Sequence, residues 1–133
     1  MTKPAIRLSI LGPRRLFNPG DEIECEYEII AANRELIPAI EASILWYTEG
    51  KGEEDMAIHF FERRIPDDTP DNDLRPSHRF RTKLPNCPLS YHGEILQIRW
   101  CVRVRVFLEG NRKINQDLPF QLGAIPKRKR RKS

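Results

Sequence analysis

Residues 96–108, LQIRWCVRVRVFL, constrain the fold of this chain more than any other stretch. Leu96, Ile98, Trp100, Val102, Val104, Val106 and Leu108 occupy every second position, and Gln97, Arg99, Cys101, Arg103, Arg105 and Phe107 fill the gaps. Successive side chains of a strand point to opposite faces, so this segment is a long strand with one apolar side and one arginine-rich side. Such a strand must bury its apolar side against a second layer. The rest of the chain therefore has to supply a covering sheet or helix.

It offers sheets. Ile6, Leu8 and Ile10 alternate with Arg7 and Ser9. After the turn signal NPGD, Ile23, Cys25, Tyr27 and Ile29 alternate with Glu22, Glu24, Glu26 and Glu28. Ile40, Ala42, Ile44 and Trp46 share one face of a strand that ends at the EGKGEED loop, and AIHFFERRI (57–65) runs from there into DDTPDNDLRP. His78, Phe80, Thr82 and Leu84 alternate with Arg79, Arg81 and Lys83, and Ile114, Gln116, Leu118, Phe120 and Leu122 close the series after the turn EGNR. Seven strands joined by Gly, Pro, Asn and Asp turns predict an all-β, antiparallel, immunoglobulin-like sandwich. No segment carries sustained helical periodicity. ANRELIPAIE is the one place for a short helical turn, and Pro38 with its β-branched neighbours favours a loop there.

A chain of 133 residues fits one domain with one core. Its net charge of +4 is unevenly placed. Lys127, Arg128, Lys129, Arg130, Arg131 and Lys132 follow one another near the C-terminus, and without them 17 Lys and Arg face 19 Asp and Glu. The division expected is a sandwich over 1–123 and a disordered basic tail over 124–133, with the body itself near neutrality. Three cysteines without a CxxC pair do not form a disulfide framework, and no apolar block resembles a signal peptide or a membrane span. A reducing cytoplasm is the expected compartment.

Two stretches carry a family resemblance. FNPGDEIECEYEI (17–29) resembles the segment of the arrestin family in which an aromatic residue, Pro and Gly introduce an early strand. LPNCPLSYHGEILQIRWCVRVRVFL (84–108) is similar to the family's later signature, where Leu-Pro leads through a Pro/Ser stretch and a Gly turn into a long aromatic and Val strand. Their order and separation fit one arrestin-like domain of the N-terminal type over roughly residues 6–122. The resemblance implies an arrestin-like sandwich and a non-catalytic role as adaptor or scaffold for other proteins.

Candidate chemistry is sparse. His92-Gly93-Glu94 matches half of a zinc deaminase signature, but the PCxxC half is missing, so the stretch reads as a turn feeding a strand. GxSxG, HExxH and P-loop motifs do not occur, and His59, His78, His92 and the cysteines match no metal-ligand spacing. The expectation is therefore no enzyme, no cofactor, no metal and no small-molecule substrate. By alternation Cys25 points inward, while Cys101 faces out between arginines, which would lower its pKa and raise its reactivity.

Arg99, Arg103 and Arg105 have two readings. If their strand lies beside the Glu22–Glu28 stripe, the two stripes neutralise each other across the sheet. Otherwise the arginines line a surface suited to an acidic or phosphorylated peptide. The six-residue basic run supports a second partner class, nucleic acid or an anionic membrane, at about 1 kcal/mol per cation. A protein-binding scaffold is the first expectation, and a polyanion-binding protein acting through its tail is the alternative.

Overall fold

The computed structural model describes residues 3–30, 32–52 and 54–123, and the tail residues 127–132 lie outside them. All seven expected strands form: β1 (Ala5–Ile10), β3 (Glu22–Ile30), β4 (Ala39–Gly50), β5 (Met56–Arg64), β6 (His78–Lys83), β8 (Leu96–Leu108) and β9 (Arg112–Leu122). Two-residue strands β2 (Leu16–Phe17) and β7 (Tyr91–His92) join them. One sheet has the order β1-β3-β6, and the other runs β2-β9-β8-β4-β5 with β7 added along β8. Every pairing is antiparallel except β2 with β9. The fold is an all-β, arrestin-like sandwich.

Alternation explains its dry interior. Ile23, Cys25, Tyr27 and Ile29 of β3 and Trp100, Val102, Val104 and Val106 of β8 are all buried in one core with Ile40, Ala42 and Ile44 of β4. Fully burying such a Val, Ile or Phe stabilises by about 1.5–3 kcal/mol each. Aromatic rings fill one end of the sandwich, where Phe17 meets Phe120 edge-on at 5.7 Å and Phe60 stacks on Phe80 at 5.3 Å. Trp46 packs against this core while staying half-buried.

The LPNCPLSYH lead-in is tied down by side chains. Trp100 Nε1 donates to the Pro88 carbonyl at 2.8 Å. Ser90 then knits the segment to β9: its N–H donates to Leu122 O, and its Oγ accepts from Leu122 N, both at 2.8 Å. Beyond the Trp100–Phe120 pair β9 leaves β8, and β7 takes over its place opposite Ile98 and Gln97. The lead-in thus lengthens the sheet at the point where β9 runs out.

The ANRELIPAIE segment differs from the expected loop. Residues Arg34–Leu36 form a single 3-10 turn, closed by Leu36 N to Asn33 O at 3.0 Å and Ile37 N to Arg34 O at 3.2 Å. Pro38 blocks a longer helix but lies just beyond the turn, so a single turn survives. Glu109 N donates to Leu36 O at 3.0 Å and docks the turn against the end of β8.

Candidate protein-binding surface

The outward face of the six-stranded sheet is set by its register. Tyr47 stands opposite Arg99, Leu45 opposite Cys101, Ser43 opposite Arg103 and Glu41 opposite Arg105. On the other side of β8, Cys101 faces Pro119, Arg103 faces Asp117 and Arg105 faces Asn115. Residues at i and i+2 share a face, so Arg99, Arg103 and Arg105 form one outward column.

Each arginine has a different situation. Arg103 grips Asp117 through two parallel hydrogen bonds, Nε to Oδ1 at 2.9 Å and an Nη to Oδ2 at 3.1 Å. That hydrogen bond, the strongest influence on it, holds the Arg103 guanidinium above its ordinary pKa against the opposing effect of burial. Arg99 contacts Glu49 and Gln97, both at 2.6 Å. Arg105 donates through Nε to Asn115 Oδ1 at 3.0 Å, a neutral acceptor. Its ladder neighbour Glu41 is engaged by Arg63 at 2.7 Å. Among the described residues Arg105 is therefore the member of the column without a carboxylate at its guanidinium.

The acidic stripe lies elsewhere, which corrects one of the two readings. Glu22 to Glu28 belong to β3, in the other sheet, and their cationic neighbours come from β1 and β6. Arg7 meets Glu28 at 3.1 Å, Arg79 meets Glu26 at 3.5 Å and Arg81 meets Glu22 at 3.8 Å. The β8 arginines are restrained by Glu49, Asp117 and Asn115 instead. The exposed Arg99–Glu49 pair contributes about 0–1 kcal/mol, whereas the two-bond Arg103–Asp117 pair is the firmer of the two.

Cys101 is the second correction. It occupies the outward register position, yet is only 3% exposed. Leu45 opposite it is 1% exposed, because strands flank both residues and Tyr47, Arg103 and Pro119 surround them. Burial pushes the Cys101 thiol up to about 11, outweighing the lowering by Arg103, so the nearby arginine does not activate it. Cys25 is fully buried, as alternation requires, and burial raises it to about 12. Cys87 is exposed.

An apolar strip missed by sequence reasoning borders the arginines. Met56, Ile58 and Phe61 of β5 are half exposed, and with Leu45, Arg103 and Arg105 they line a shallow hollow of about 90 Å³. The signal was present in HFF, where the alternation of AIHFFERRI breaks. The face therefore combines cations with an apolar border. Among the described residues no helix is long and apolar enough to cross a membrane.

No family model and no curated protein matches this sequence. Among solved structures, the sporulation control protein Spo0M from Bacillus subtilis superposes with a TM-score of 0.61 at 12% identity. The match covers 93% of this chain and 51% of Spo0M, so the chain spans about half the length of that protein. At this identity the likeness speaks for the fold, and what the chain shares with Spo0M is its arrestin-like β-sandwich.

Proposed function

We propose that this domain is a non-catalytic protein-binding scaffold that receives an acidic segment of another protein on the arginine column of β8. The observation that carries this reading is Arg105: its Nε rests on Asn115, and the nearest carboxylate in register is already held by Arg63. A carboxylate or phosphate arriving there gains a charge-assisted contact without breaking an internal ion pair. Arg103 and Arg99 continue the column from Arg105 toward the start of β8, and of the two the exposed Arg99–Glu49 pair is the one that yields easily. The adjoining apolar strip supplies the contact area that charges alone lack. The arrestin-like fold supports the same class of function by analogy. The cytoplasm, where free thiols persist, is the compartment proposed with it.

The test is affinity purification from the native host with the full chain, the full chain carrying Arg105→Glu, and residues 1–126. A discrete protein retained by the full chain and by residues 1–126, but lost with Arg105→Glu, is the expected result. Recovery of only nucleic acid or anionic membrane, lost when residues 127–132 are removed, would overturn the scaffold reading in favour of the tail.

A further inference from the structure

Strand β5 is an edge. Among the described residues it pairs only with β4, so the backbone groups along its far side have no ladder partner. Met56, Ile58 and Phe61, at 50%, 50% and 52% exposure, place large apolar side chains along that edge. Unprotected apolar edges are rare because they recruit other chains. Two features of β5 determine which chain fits.

The first is the bulge. Ile58 opposes Leu45 and Phe60 opposes Ile44, leaving His59 as an extra residue. His59 and Phe60 both turn toward the other sheet: exposed His59 reaches Lys83 O with Nε2 at 2.8 Å, and Phe60 stacks on Phe80. A bulge commonly twists an edge out of reach. Here it also inverts the alternation, so the outward set becomes Met56, Ile58, Phe61 and Arg63. That set is symmetric about the His59–Phe60 step. Two copies of β5 laid antiparallel about this step place every outward residue opposite another outward residue: Ile58 against Phe61 of the second copy, and Met56 against Arg63.

The second feature is charge. Glu54 and Asp55 precede β5, and Arg63 and Arg64 end it. Antiparallel pairing sets the acidic start of one strand against the basic end of the other, twice over. Parallel pairing would stack like charges. Self-complementary patches of this kind generate two-fold dimers.

We propose that β5 pairs antiparallel with β5 of a second copy about the His59–Phe60 step, joining two six-stranded sheets into one. Ile58 and Phe61 then form reciprocal cross-strand contacts. Both arginine columns face the same side of the joined sheet, presenting two copies of the column to a bivalent partner. The dimer goes beyond the arginine-column reading: it uses the apolar strip that borders the column, and the two are tested apart because Arg105→Glu leaves Ile58 and Phe61 in place while the Lys pair leaves Arg105 in place.

Sedimentation equilibrium of the full chain up to about 200 µM, a range that captures dissociation constants in the micromolar decades, should show reversible doubling of the 15.6 kDa mass. Replacing both Ile58→Lys and Phe61→Lys should weaken association by at least about tenfold. Ile95→Lys, at a side chain 69% exposed outside this edge, should leave it unchanged. Circular dichroism confirms that each variant keeps its sheet content. Register is read in a Cys87→Ser background: an equimolar mixture of Ile58→Cys and Phe61→Cys chains should cross-link more readily than either alone. A chain that stays monomeric throughout, a dimer indifferent to the Lys pair, or cross-linking dominated by like positions would each overturn the proposal.

Discussion

Replacing Trp100→Phe tests how the LPNCPLSYH lead-in is attached to the long strand. Trp100 is 1% exposed, and its indole N–H donates to the Pro88 carbonyl at 2.8 Å. Phenylalanine keeps an aromatic ring against Phe120, whose centroid lies 5.8 Å away, but removes that donor. The part-buried Pro88 carbonyl, left without its partner, costs up to about 1–3 kcal/mol. The smaller ring leaves a void of a few tens of Å³, which adds roughly 1 kcal/mol at about 24 cal/mol per Å³. The expected loss is about 2–4 kcal/mol. At a urea m-value of about 2 kcal/mol/M, the middle of the usual range, the unfolding midpoint should fall by roughly 1–2 M. Hydrogen exchange should locate part of the loss at residues 85–92 before global unfolding. Ser90→Ala breaks the second tether, the bond from Leu122 N. Because both substitutions release one segment, their effects should combine non-additively in a double-mutant cycle. A midpoint shift corresponding to less than about 0.5 kcal/mol would refute the assignment of Trp100 as an anchor.

Two further outcomes follow from titratable groups. Alkylation of the native chain should modify Cys87 alone, with Cys25 and Cys101 reacting only after urea unfolding. With their thiols raised to about 12 and about 11 from 9.0, their thiolate fractions fall about 1,000-fold and 100-fold before access is even considered. Intact-mass counting reads this directly, and rapid native labelling of Cys101 would contradict it. Asp73 is held at about 2, below 3.8, chiefly by Arg75 side-chain hydrogen bonds to its carboxylate at 2.9 Å. A carboxyl lowered in the folded state contributes stability above the unfolded value, and this is lost as pH falls from about 4 through about 2. Asp73→Asn should flatten the urea midpoint over that window; an unchanged slope would remove Asp73 from the acid response.

The long strands were legible because burial imposes a period of two, and Val102, Val104 and Val106 could not face water together. Which strands are neighbours was not legible. The glutamates of β3 and the arginines of β8 form stripes of similar length, but local periodicity contains nothing that assigns a strand to a layer. Burial of Cys101 likewise depends on Leu45, Tyr47 and Pro119, which reach it only through pairing across the sheet. Strands of two residues, such as Leu16–Phe17, are too short to show any period. At β5 the pattern was visible but misleading, because one extra residue moves Phe61 to the face that Ile58 already occupies. Sequence pattern reports local geometry, whereas the binding surface is made of adjacency between distant segments.

The parallel β2–β9 pairing has a consequence for how this chain acquires its structure. Gln121 N donates to Arg15 O at 2.8 Å and Gly123 N to Phe17 O at 2.7 Å, joining segments more than a hundred positions apart. On a ribosome adding about 5–20 residues per second, the outer border of the sheet stays open until its last strand has cleared the exit tunnel. Such distant closure places the domain among slow folders, on the millisecond-to-second scale of sandwich topologies. Until it closes, β8 lacks the cover of β9 along one side. The nascent domain therefore passes through a period in which its strongest strand is also its most adhesive one.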